Sequence, residues 1–262
     1  MQTPPESSLL ISTPAFEVRI ADTLADVEAA LRLRFEVFNL ELHEGLASSY
    51  HTGFDSDVYD TFCDHLIVKE RETGNVVGTY RLLRQQKALA NIGFYSEGEF
   101  DLGRIKLLEG ESLEVGRSCV AKEFRTAAVI NLLWGGIARY MEIHGIVRLF
   151  GCVSLHTKEN EELIEIHHEI RTKYLSAEKY RVTPLPRCAF LPVGRQPLPP
   201  GGNSAFRKFP PLLKGYLRLG AVICGDPAMD REFGTIDYLI LVELDAIAER
   251  YRNHYCTAAA YA

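Results

Sequence analysis

The sequence predicts an α/β protein with a mixed central sheet flanked by helices. Three observations lead there. Strand-type and helix-type periodicities alternate along the chain. Two β-rich runs in "HLIVKERETGNVVGTYRLL" (65–83) flank the turn Glu72-Thr73-Gly74-Asn75, a hairpin signal. A strand, a long apolar helix and a second strand follow one another over 112–154, the unit from which α/β sheets are built.

Taken in order, "FEVRIA" (16–21) reads as a strand, and Thr23 caps a helix with Asp26 in its first turn. Leu24, Val27, Leu31 and Phe38 recur at helical spacing on one face of that helix. After the hairpin, "SLEVGRSCVA" (112–121) is a strand, and residues 126–144 form a long apolar helix that Gly145 ends. "IVRLFGCVS" (146–154) is a nearly all-apolar strand, and residues 157–175 form a charged amphipathic helix whose His167 and His168 read as solvated. "LLKGYLRLGAVICGD" and "TIDYLILVEL" supply a short helix and the last strands. The expected organisation is a flexible segment at 1–15, one domain over 16–255 with a Pro/Gly-rich loop at 183–211, and a tail at 256–262.

Composition bounds the function. In 262 residues, 47% hydrophobic content is enough for a sizeable core, and a net charge of −6 argues against a broad nucleic-acid surface. The six cysteines are scattered without a C-x-x-C pair, so neither a metal site nor a redox motif is expected, and a reduced, cytoplasmic setting fits. The first residues lack the basic and apolar regions of a signal peptide, and no apolar run approaches the roughly 18 residues of a membrane span.

The chemistry centres on "LEVGRSCVAKEFR" (113–125), a core strand that carries Glu114 and Arg117. Side chains three apart in a regular strand point to opposite faces, and Gly116 between them permits a bulge that shifts the phase. A bulge splays the sheet around 113–120 and frees backbone groups near Val120. The turn into the next helix brings Arg125 beside Thr126 and Ala127, whose amides suit a phosphate. Arg34 lies in register with the apolar positions of the first helix and must therefore find an acid. The run "FDSDVYDTFCDH" holds Asp55, Asp57, Asp60 and Asp64. A solvated loop is its plain reading, and its spacing does not match a calcium loop.

These motifs resemble the GCN5-related N-acyltransferase superfamily, and within it the ornithine-lipid-forming branch often labelled hemolysin-like. The resemblance rests on "LEVGRSCV" with "INLLWGGIARY", and on "LRLRFEVFNLEL" (31–42), "DVYDTFCDHLIV" (57–68), "GTYRLL" (78–83), "GFYSEGEFDL" (93–102), "LFGCVSL" (149–155) and "PPLLKGYLRLGA" (210–221). It spans about residue 16 to 255. Acyl-homoserine lactone synthases are similar more distantly.

The resemblance implies transfer of a long-chain, 3-hydroxyacyl group to the α-amine of an amino acid, ornithine in the lipid-forming branch. Glu114 would assist deprotonation, with Arg117 as its neighbour; the structural alternative is an ion pair. Arg34 organises the site, and Asp57 and Asp60 bind the amine. Val120 backbone holds the thioester carbonyl, and Ser154 attends the leaving thiolate. The turn at Arg125, Thr126 and Ala127 has fewer glycines than the superfamily's phosphate loop. That suits acyl carrier protein as donor in preference to acyl coenzyme A, with no metal or redox cofactor. Arg81 and Arg84, with Lys122, Arg125 and Arg139, are candidates to dock an acidic carrier. "FPPLLKGYLRLG" is a candidate for peripheral contact with the inner membrane. A synthase of another acylated amino acid or lactone signal is one rival reading, and a non-catalytic lipid-binding protein is another.

Overall fold

The turn Glu72–Asn75 closes as its residues demand. Gly74 takes the left-handed conformation at φ +73°, and the Asn75 amide donates to the Thr73 hydroxyl. The computed structural model describes residues 9–156, 160–190 and 204–245. Its strands are β1 Leu9–Ser12, β2 Phe16–Ile20, β3 Asp64–Glu70, β4 Val76–Arg84, β5 Phe100–Asp101, β6 Glu111–Val120, β7 Ile146–Leu155, β8 Thr183–Pro184, β9 Val222–Ile223, β10 Ala228–Asp230 and β11 Thr235–Glu243. By its internal contacts the chain divides into two compact units. One runs to Ile92 and includes Leu113–Ile146; the other holds Gly93–Ser112 and the chain from Val147 on.

In the first unit the strands run in the order β1, β2, β3, β4, β6, each antiparallel to its neighbour. The segment expected to be flexible at 1–15 thus supplies a strand, because Leu9, Leu10 and Ile11 give an apolar edge that pairs with β2. The helix Ala127–His144, ended by Gly145 at φ +64°, packs on one face of this sheet. Gly136 allows that approach: a Cβ there would stand 2.7 Å from Val18 and 3.0 Å from Leu66.

The first helix, Leu24–Arg34, begins at Thr23, whose hydroxyl accepts from the Asp26 amide at 3.1 Å. Its buried face differs from the expected one. Ala30, Leu33 and Arg34, with Val37 just beyond, face inward, while Leu24 is 74% exposed. Leu33 and Val37 pack against Cys119 of β6, which places this helix on the opposite face from the long one.

Register fixes that face. His65 pairs with Arg81, Arg81 with Gly116, and Leu83 with Glu114. Opposed residues share a face, so His65, Arg81 and Glu114 all lie on the side of the first helix. Between Arg81 and Thr79 the partner strand advances from Gly116 to Cys119, one residue too many, which is the bulge expected in this strand. The left-handed residue in it is Arg117 at φ +48°, and Gly116 keeps an ordinary conformation.

In the second unit β11 pairs antiparallel with β7 over its whole length, from Ile236 opposite Leu155 to Glu243 opposite Arg148. β9 and β10 pair with β11, and β5 with β8. The charged helix is Asn160–Lys173. Its His167 is not solvated: Nδ1 lies 3.0 Å from the Tyr238 hydroxyl. The loop expected at 183–211 contains β8 and the helical turn Ser204–Lys208; residues 191–203 and the expected tail lie outside the described residues.

Gly136→Leu should lower the thermal midpoint, because overpacking at such a contact costs roughly 1–3 kcal/mol. Gly215→Ala, in the helix Pro211–Arg218 where a Cβ meets nothing within 4 Å, should raise it slightly, by about 0.5–1 kcal/mol. Scanning calorimetry of the two variants beside the wild type reads both.

Candidate active site

Arg34 is the last residue of the first helix, and the chain continues directly into a π-helical turn, Phe35–Glu41. Such turns widen a helix locally and are frequent at functional sites. This one buries Asn39, whose Nδ2 donates to the Leu46 carbonyl at 2.8 Å while its backbone carbonyl accepts from the Tyr50 hydroxyl at 2.9 Å. The following loop is thereby folded back along the helix, and the Asp55 amide donates to Leu31 O at 3.1 Å.

That docking brings three aspartates to three arginines. Arg34, 1% exposed, donates from Nε to Asp55 Oδ1 at 2.8 Å and from its two terminal nitrogens to Asp60 at 2.7 and 3.1 Å. Arg81 Nη1 reaches both oxygens of Asp57 at 2.7 Å and Asp60 Oδ1 at 3.4 Å. Arg117, carried inward by the bulge, donates from Nε to Asp55 Oδ1 at 3.0 Å and from Nη2 to Asp55 Oδ2, with its guanidinium 4.4 Å from the Phe38 ring centre. Asp57 and Asp60 also form a reciprocal capping box around the turn Val58–Thr61: Asp57 accepts from the Tyr59 amide and Asp60 from the Asp57 amide, each at 2.8 Å.

The charges decide each other's protonation. Burial pushes the Asp60 carboxyl up, but Arg34 and Arg81 outweigh it and hold it at about 2. Burial lowers Arg34, and Asp60 and Asp55 more than restore it, so it stays charged. His65 is 2% exposed, with Nε2 3.9 Å from Asp60 Oδ1. Burial, aided by Arg34, holds its pKa below the ordinary imidazole range, so it is neutral at pH 7. Burial also keeps the neighbouring Cys63 thiol protonated, at about 12.

The predicted residues therefore fall into groups. Arg34, Asp57, Asp60, Arg81, Glu114 and Arg117 share one face of the first unit, and Glu114 is 5% exposed there. Arg81 is buried in this lattice and so is no surface cation for a carrier, a correction to the sequence reading. Arg125, Thr126 and Ala127 are exposed at the start of the long helix. Arg125 is bidentate to Glu41 at 2.5 and 2.6 Å, and its Nε donates to Val120 O at 3.1 Å. The Ala121 amide bonds across to Val77 O, so alternation directs the Val120 amide away from β4.

Ser154 belongs to the second unit, opposite Asp237 in the β7–β11 ladder. Asp237 accepts from Thr235 Oγ1 at 2.7 Å, and burial raises it to about 6 against the hydrogen bonds of Thr235 and Ser154. Asp237, Glu99 and Cys152 each place one ligand-type atom within 4.8 Å of the others. The sequence reading missed this group because no local spacing links residues so far apart. It missed His65 for another reason: a lone histidine in a strand carries no periodic signal. The apolar positions of "FPPLLKGYLRLG" turn largely inward, with Leu213, Tyr216 and Leu217 buried and Leu212 40% exposed. Among the described residues no helix is long and apolar enough to cross a membrane.

Residues 33–135 match the acetyltransferase (GNAT) domain. The fold agrees. The acyl-homoserine lactone synthase LasI superposes with a TM-score of 0.51 at 14% identity, over 87% of this chain and 90% of that one. FeeM, an N-acyl amino acid synthase from uncultured soil microbes, does so with a TM-score of 0.50 at 10% identity, over 95% and 100%. Fold and domain together define a GNAT-type acyltransferase. The L-ornithine N(alpha)-acyltransferase of Brucella abortus is 37% identical over 92% of this chain and 89% of its own length. That of Rhizobium meliloti is 35% identical over 96% and 88%. This chain belongs to the L-ornithine N(alpha)-acyltransferase family.

Asp60 titrates at about 2 in the folded protein against an ordinary 3.8. Its ionised form therefore stabilises the fold above about pH 4, and that contribution, about 2 kcal/mol, is lost as the pH falls through about 2. Asp60→Asn should cost roughly 3–5 kcal/mol at pH 7 by leaving two buried guanidinium groups short of charge. The gap to wild type should narrow below pH 4. Urea midpoints across pH 2–8 measure both effects.

Proposed function

We propose that the protein transfers a long-chain (3-hydroxy)acyl group from acyl carrier protein to the α-amine of ornithine, forming a lyso-aminolipid. The observation that carries this reading is the position of Glu114: a buried carboxylate on the same strand face as Arg81, beside the arginine–aspartate lattice. The names of the relatives support ornithine as acceptor.

In this reading the lattice is a rigid, charge-balanced wall rather than a set of free carboxylates. Its partly open members, Asp57 at 21% and Arg117 at 14% side-chain exposure, offer an acid for an ammonium and a guanidinium for a carboxylate. Glu114 takes the proton from the α-ammonium, through water or directly. The free amine forms a bond to the thioester carbon, the Val120 amide holds the developing oxyanion, and the C–S bond breaks as the thiol leaves with a proton. Ser154 is the sequence candidate for attending that thiol.

The donor phosphate would replace the Glu41 carboxylate on Arg125 and meet the first amides of the long helix at Thr126 and Ala127. One phosphodiester fits a single arginine and a turn poor in glycine, which favours carrier protein over coenzyme A. The amphiphilic product would partition into the inner membrane, and Leu212 with Arg207, Lys208 and Arg218 is an exposed patch suited to its surface.

One assay tests this: ornithine with long-chain acyl carrier protein or with acetyl coenzyme A, for wild type and Glu114→Gln. Expected are transfer from the carrier at least 100-fold above that from acetyl coenzyme A, and a loss in Glu114→Gln of about 10²–10⁴-fold in turnover. Efficient acetyl transfer with no gain from the longer chain would contradict the lipid-forming reading.

A further inference from the structure

Neither ring nitrogen of His65 makes a hydrogen bond of regular geometry among the described residues, although the side chain is only 3% exposed. Asp60 is the polar group the ring approaches, and it can only accept. A neutral imidazole always carries one donor and one acceptor, so the acceptor nitrogen is left unmet, at a cost of the order of 1–3 kcal/mol. A leucine in β3 would avoid that cost. The imidazole is nonetheless seated among charges: opposite Arg81 in the ladder, 3.9 Å from Asp60, within the field of Arg34, and on the sheet face that carries Glu114.

Asp57, at 21% side-chain exposure the most open carboxylate of the wall, is where a cation can approach this face. We propose that His65 is a substrate-binding residue: the ring nitrogen turned away from Asp60 accepts a hydrogen bond from an ammonium group of the amino-acid substrate, which enters beside Asp57. This rests on the acyl-transfer reading above and adds to it the group that selects a diamino acid. Nε2–H directed at Asp60 Oδ1 leaves Nδ1 as the acceptor. Burial, with Arg34 and Arg81, outweighs the pull of Asp60 and keeps the ring neutral and so able to accept.

The test uses the full chain with His65→Leu and His65→Gln, and reads Michaelis constants for ornithine and for the acyl donor separately. Loss of a hydrogen bond to a charged group raises the ornithine constant roughly tenfold or more in His65→Leu. The donor constant stays within about twofold. His65→Gln, which keeps a donor and an acceptor, recovers most of the loss. His65→Leu melts no lower than wild type, since an unmet polar group has gone. A folded His65→Leu with an unchanged ornithine constant, or with both constants raised alike, overturns the inference.

Should His65→Leu fail to fold, a titration of the wild type with ornithine alone, followed by the ¹⁵N signals of labelled histidine, decides. A shift of the His65 ring nitrogens is expected, and an unmoved ring overturns the contact. If the ring responds but nothing is acylated, the acyl-transfer reading falls and the contact stands. If ornithine is acylated and the ring does not respond, the reverse holds.

Discussion

The Arg34 guanidinium, fully buried between Asp55 and Asp60, is the interaction on which the rest of the first unit depends. A guanidinium taken from water costs several kcal/mol unless its geometry is matched on every side. Here it is, by two carboxylates and four approaches of 3.1 Å or less. The π-helical turn is a consequence. The first helix must end at Arg34 yet send the chain back far enough for Asp55 and Asp60 to reach it, and the widened turn with Asn39 as its clasp makes that reversal.

From Arg34 the constraint spreads into the sheet. Asp55 is shared with Arg117, and Asp60 with Arg81. Helix, acidic loop, β4 and β6 are thereby fixed to one another by charge. Arg117 meets Asp55 only because β6 carries an extra residue that turns its side chain to the inner face. A left-handed backbone at a non-glycine residue costs roughly 1–2 kcal/mol, which the two bonds to a buried aspartate offset. Glu114 stays in phase with Arg81 because the β4–β6 register is unbroken between them. The site is thus rigid before any substrate arrives, as orientation-dependent acyl transfer needs.

The sequence made much of this legible where the signal is local. The hairpin at 64–84, the Thr23 cap, the long helix and its Gly145 stop all follow from spacing and from residues with special backbone freedom. So did the need of Arg34 for an acid and the bulge between Glu114 and Arg117. What stayed hidden depends on contacts distant in sequence. The acidic run reads as a solvated loop until Arg34, Arg81 and Arg117 are seen to neutralise it. Gly116 was the obvious bulge residue, yet Arg117 takes the unusual conformation because Asp55 holds it there. The first helix buries Ala30 and Leu33 beside the expected Arg34 and leaves Leu24 exposed, since the face is chosen by the acids it must meet. The grouping of Glu99, Cys152 and Asp237 joins segments with no shared motif.

The aspartates serve Arg34 and its partners first and the substrate second. A double-mutant cycle of Arg34→Gln and Asp60→Asn, read as unfolding free energy in urea at pH 7, tests it most directly. If the two groups act as one unit, each single change is severely destabilising and the double change costs little more than either, a coupling of about 3 kcal/mol or more. Losses that simply add, to within about 0.5 kcal/mol, would contradict the account and make the lattice a set of independent surface charges.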